Sequence, residues 1–143
     1  MKNIGSLARQ IRILVADDFS QWRSVVRTIL QDRPEFLIIC EATNGEEAVH
    51  KAAEHRPDIA LLDIGMPILN GFEAAKRIQQ ICPGCRIIFL TQNNDIEIVQ
   101  SAIRMGVGAY VLKANALSDL SVAISAVLDR TMFVSAPLAF APV

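Results

Sequence analysis

Five times along this chain a short apolar run is followed by a segment whose apolar residues recur at helical spacing, with no long gap between. The apolar runs are Ile11 to Ala16, Phe36 to Cys40, Asp58 to Asp63, Arg86 to Leu90 and Ala109 to Leu112. Each is short, apolar and closed by turn residues, the mark of a strand buried on both faces. The helical segments are Ser20 to Gln31, Glu46 to Glu54, Phe72 to Ile81, Asp95 to Met105 and Leu117 to Asp129. The first shows Trp22, Val25, Val26, Ile29 and Leu30 as one stripe, and the last shows Leu117, Leu120, Ile124, Val127 and Leu128. Strands joined by crossovers of about 10 to 15 residues pair in parallel, so the sheet is covered by helices on both sides. The expected fold is a doubly wound α/β architecture.

The chain's size and charge narrow what such a fold can do. At 143 residues it is one domain, and 52% hydrophobic residues argue against disorder. Fourteen basic against fifteen acidic residues give a formal charge of -1, which offers no footprint for nucleic acid or an anionic membrane. No apolar run reaches the roughly 18 residues of a membrane span, and the first ten residues lack a signal peptide's apolar core. A cytoplasmic location is expected. The three cysteines then read as reduced thiols, with Cys40 in a core strand.

The polar residues gather where the strands end. Asp17 and Asp18 follow the first strand, Asp63 ends the third, Thr91 tips the fourth and Lys113 follows the fifth. All fall at the carboxyl edge, where open parallel sheets bind ligands. Taken singly, each has a plain reading as a helix cap, a turn residue or a solvated lysine. Together they place three carboxylates at one edge, and such a site calls for a cation. Oxygen donors with room for water suit Mg²⁺ (or Mn²⁺) better than a softer metal. A carboxylate left facing a phosphate can act as a nucleophile, with a lysine and a hydroxyl stabilising the transferring oxygens.

Asp17-Asp18, Leu62-Asp63-Ile64-Gly65-Met66-Pro67, Leu90-Thr91 and Tyr110-Val111-Leu112-Lys113 together resemble the receiver domain of two-component response regulators, over about residues 11 to 131. The resemblance implies a CheY-like, flavodoxin-like (βα)5 fold with a five-stranded sheet in the order 2-1-3-4-5. It implies that Asp63 accepts a phosphoryl group from a sensor histidine kinase, with Asp17, Asp18, Asp63 and the backbone carbonyl of Gly65 holding the metal. It makes Lys113 and Thr91 the groups that contact the phosphoryl oxygens, and Tyr110 the aromatic switch that follows Thr91. The switched surface is the fourth helix, fifth strand and fifth helix. The stretch from Asn115 to Ser135 is most similar to receivers of LuxR/NarL-type transcription regulators, which points to transcription output and to a homodimer formed on phosphorylation.

This sequence departs from the family pattern at several positions. Ala114 stands where many receivers have Pro, so a cis peptide after Lys113 would cost about 3 kcal/mol. Gln92 stands where a small residue is usual, and its bulk would narrow access to the site. Gly65 offers no side chain to direct water; it also lacks the second acid of aspartate-nucleophile phosphohydrolases, the rival enzymatic reading. A stand-alone CheY-like protein, or a receiver used only for docking, are further alternatives.

Cys82-Pro83-Gly84-Cys85 has redox-motif spacing, but it precedes a strand rather than opening a helix. Residues 1 to 10 are expected to be an extension, and 132 to 143, uncharged with two prolines, an apolar linker or tail. A DNA-binding output domain is expected to lie outside this chain.

Overall fold

In the computed structural model, residues 9–138 are described, and the strands fall where the apolar runs predict. They are β1 (Ile11–Ala16), β2 (Phe36–Ala42), β3 (Ile59–Leu62), β4 (Arg86–Thr91) and β5 (Ala109–Leu112). The helices between them are α1 (Ser20–Leu30), α2 (Gly45–His55), α3 (Gly71–Ile81), α4 (Ile96–Met105) and α5 (Ala116–Leu128). Three helix starts are fixed by short polar side chains. Asn44 Oδ1 accepts from the Glu47 N–H at 2.8 Å, Asn70 Oδ1 from Glu73 at 2.9 Å, and Asp95 Oδ1 from Glu97 at 2.8 Å. At the other end, α4 stops at Gly106 with φ 88°, a left-handed conformation that glycine adopts without strain.

All strand pairs are parallel, and the sheet runs β2-β1-β3-β4-β5-β6. The expected order 2-1-3-4-5 is present, but the sheet has six strands rather than five. The sixth, β6 (Phe133–Val134), pairs with β5 in the register Ala109 with Phe133 and Tyr110 with Val134. It lies inside the stretch expected to be a linker. The physical reason is the open edge of β5, whose backbone groups need partners. Phe133 N–H donates to the Gly108 carbonyl at 3.2 Å, and Ser135 N–H to that of Tyr110 at 3.0 Å. Ala136–Leu138 then form a 3-10 turn, and Leu138 is buried.

Side chains alternate between two cores, one on each face of the sheet. Ile13, Val15, Ile59, Leu61, Ile88, Leu90 and Val111 pack against Val26 and Leu30 of α1 and Leu120 and Ile124 of α5. On the other face Leu14, Leu62, Phe89 and Tyr110 pack against α2, α3 and α4 through Ala48, Ala75, Ile78 and Val99. No described helix is long and apolar enough to cross a membrane.

Cys82 and Cys85 are buried free thiols in a turn closed by a 2.9 Å bond from the Cys85 N–H to the Cys82 carbonyl. Burial pushes the Cys85 thiol up to about 12, which suppresses the reactive thiolate. Of the N-terminal extension, Arg9 and Gln10 are described, and Arg9 Nη2 donates to Asp58 Oδ1 at 2.7 Å. The rest of that expected extension, and residues 139–143 of the expected tail, lie outside the described residues.

Candidate phosphoacceptor and metal site

Asp17 leaves β1 and is held by its own backbone. Its N–H donates to the Ala42 carbonyl at 3.0 Å, and its carbonyl accepts from Arg23 Nη1 at 2.6 Å. Its carboxylate Oδ1 accepts from the Phe19 N–H at 2.9 Å, so the side chain turns over the start of α1. Asp63 stands one residue beyond β3, with its N–H donating to the Ala16 carbonyl at 3.0 Å. The start of α3 packs tightly on the Asp63 backbone: a Cβ on Gly71 would lie 1.9 Å from the Asp63 carbonyl oxygen. Only glycine lets the first turn of α3 lie there.

Carboxylate oxygens of Asp17, Asp18 and Asp63 all lie within 4.8 Å of one another. The Lys113 ammonium answers part of that charge, reaching Asp17 Oδ2 at 2.8 Å and Asp63 Oδ2 at 3.3 Å. Lys113 is 5% exposed, a burial that a charged lysine tolerates only when paired. Burial drives the Asp17 carboxyl above its ordinary value, and the bond from Lys113 opposes that rise. Asp18 Oδ1 is buried and has no hydrogen-bond partner. A buried carboxylate oxygen without a donor, beside two more carboxylates, fits a bound hard cation. A Cβ built on Gly65 would meet nothing within 4 Å, so the space beside that residue is open.

Thr91 and Tyr110 form a second cluster beside the first. Thr91 Oγ1 accepts from the Asn93 N–H at 3.2 Å, and the Tyr110 hydroxyl donates to the Asn93 carbonyl at 2.6 Å. Asn93 therefore ties the two together through its backbone. Tyr110 is fully buried and edge-on to Phe89, with ring centroids 6.0 Å apart; burial raises its phenol well above the ordinary value. The Lys113–Ala114 peptide is trans, as a bond without proline prefers. Gln92 is exposed.

A family model for the response regulator receiver domain matches residues 13–125. The chain belongs to the response regulator receiver family. The receiver is 39% identical over 103 residues to the transcriptional regulatory protein LnrK of Bacillus subtilis, covering 72% of this chain and 47% of that protein. It is 37% identical over 117 residues to the chemotaxis protein CheY of Halobacterium salinarum, covering 82% and 96%. Among solved structures, a LuxR-family two-component response regulator from Aurantimonas superposes with a TM-score of 0.86 at 29% identity, covering 92% of this chain and 94% of that one. The receiver spans about half the length of the transcriptional regulators it matches.

The receiver thus brings Asp17, Asp18, Asp63 and Lys113 into one cluster and joins Thr91 to Tyr110 in another. Two residues of the site were not legible beforehand. Gly71 carries no signal beyond following the cap Asn70. Trp22 reads as one more member of the α1 stripe, yet its ring lies against the Lys113 ammonium, 4.9 Å from centroid to Nζ.

Proposed function

We propose that this receiver is phosphorylated on Asp63 by a sensor histidine kinase. An Asp63 carboxylate oxygen attacks the phosphorus of the donor's phosphohistidine; the P–O bond forms as the P–N bond breaks, and the imidazole leaves with the electron pair. The observation that supports this most is the buried Lys113 ammonium between Asp17 and Asp63, beside the unpartnered Asp18 oxygen. Asp17, Asp18, Asp63 and the backbone carbonyl of Gly65 would hold Mg²⁺ (or Mn²⁺), which when bound neutralises charge on the phosphoryl oxygens.

Lys113 pairs with the phosphoryl group, and Thr91 hydrogen-bonds it once it is formed. Thr91 accepts one bond from Asn93 and keeps its own O–H free to donate to a phosphoryl oxygen. If Thr91 moves to make that bond, Asn93 moves with it, and Asn93 is what holds the Tyr110 hydroxyl. The added charge at the edge so biases the packing of α4, β5 and α5. No external substrate is turned over; the product is the modified protein.

We assign the output to transcription, as the names of the regulators it resembles suggest, in the cytoplasm, with a DNA-binding domain outside this chain and a homodimer as the active form. A stand-alone role, in which the switched surface docks a partner directly, is the second reading, prompted by the likeness to the Halobacterium chemotaxis protein over nearly that protein's whole length. Incubation with acetyl phosphate and Mg²⁺, read by intact mass, tests the site. One phosphoryl group per chain is expected, and none on Asp63→Asn. Thr91→Ala and Lys113→Ala should still be labelled, Lys113→Ala more slowly, with the switch impaired in both. Full labelling of Asp63→Asn would sink the assignment.

A further inference from the structure

Lys113 has three donor directions and two carboxylate partners. Its side chain is 3% exposed, so bulk solvent has little access to the third. The Trp22 ring lies beside the ammonium, with Nζ 4.9 Å from the ring centroid. Trp22 sits on the first turns of α1, whose start is pinned by the Asp17 carboxylate and Arg23. The ring is therefore fixed to the same stretch of backbone that carries Asp17. A lysine stem is flexible, and the three donors of its ammonium can rotate among acceptors. An aromatic face beside it adds a further constraint, because the negative face of the ring attracts the cation.

We propose that Trp22 is a positioning residue for phosphoryl transfer: its ring face holds the Lys113 ammonium in the gap between Asp17 and Asp63, where the incoming phosphoryl oxygens must be met. The proposal rests on Asp63 being the phosphoacceptor. It needs the π-face and not merely an apolar side chain, and that separates it from a packing role. Phe in place of Trp keeps a smaller face; Leu or Met keeps bulk without one.

The test uses the full chain as wild type, Trp22→Phe, Trp22→Leu and Trp22→Met, with thermal melting to establish that each is folded. In the unmodified protein, the ε-methylene protons of Lys113 should show an upfield ring-current shift by NMR. The shift should persist in Trp22→Phe and vanish in the two ring-less variants. Labelling by acetyl phosphate with Mg²⁺ should be about threefold to tenfold slower in a folded ring-less variant and largely restored in Trp22→Phe. Equal rates in the folded Leu or Met variant and wild type, or unshifted Lys113 protons in wild type, would overturn the proposal. Absence of label on wild-type Asp63 defeats the phosphoacceptor reading instead, and the ring-current shift then decides the Trp22–Lys113 contact alone. Trp22 is the chain's single tryptophan, so an emission change on labelling gives a further readout; it should be absent in Asp63→Asn.

Discussion

Gly71 supports the site's geometry without taking part in any chemistry. The atoms a Cβ would meet, the Asp63 carbonyl oxygen at 1.9 Å and carbon at 2.7 Å, belong to backbone and cannot swing aside. Gly71→Ala should therefore cost about 1–3 kcal/mol in urea unfolding despite alanine's better helix propensity. It should also slow labelling of Asp63, because the strain falls on that residue's own peptide. Glu41 shows a different dependence. It accepts from Arg23 Nε at 3.0 Å and from Arg27 Nη1, tying α1 to β2. Burial pushes its carboxyl up, but the bonds from Arg27 and Arg23 outweigh that and leave it below the ordinary 4.5. The unfolded chain thus takes up the proton first as pH falls. The stabilisation is complete above about 4.5 and is lost as pH drops through the lower folded value. Glu41→Gln should cost about 1 kcal/mol at neutral pH, discounted for partial exposure, and flatten the acid side of the stability–pH curve; an unchanged acid limb would count against it.

Among the elements, β6 depends on one hydroxyl. Ser135 Oγ accepts from the Leu112 N–H at 3.0 Å and donates to Asp119 Oδ2 at 2.9 Å, joining β5, α5 and the segment after β6. Ser135→Ala leaves a buried N–H without a partner, a loss of about 1–3 kcal/mol. Amide exchange at Leu112 and Tyr110 should speed up well before the rest of the sheet, and uniform protection would refute the coupling. The longer elements were legible because several residues repeat one period. A two-residue strand has no period to show, and Phe133-Val134 among prolines reads as linker until an unpaired edge is known to lie beside it. Boundaries drifted for a related reason: β2 runs on to Ala42 and α2 begins at Gly45, where caps and pairing, not hydrophobicity, set the limits.

For the whole molecule, the acid cluster was readable because parallel strands bring all their carboxyl ends to one edge, so sequence order alone brings Asp17, Asp63, Thr91 and Lys113 near one another. What strand order cannot supply is distance across elements. The Asn93 link between Thr91 and Tyr110, and the Trp22 ring over Lys113, exist only once α1 and the β4–α4 loop are packed. On the outside of the α1 and α5 layer, Val25, Leu117 and Val122 are exposed apolar side chains. If that face joins two copies on phosphorylation, sedimentation with a phosphate mimic should show a shift towards twice the monomer mass, and a constant mass would refute it.

The short sixth strand also changes where the chain leaves the fold. α5 carries the backbone to the amino-end edge of the sheet, as far from Asp63 as the sheet allows. Because β6 runs parallel to β5, it carries the chain back again, and Ser135 lies alongside Leu112. The described chain is thus moored through Ser135 beside Leu112, the residue before Lys113, rather than at the end of α5. A change of charge at the carboxyl edge would therefore reach the segment from Phe133 to Leu138 across a single hydroxyl.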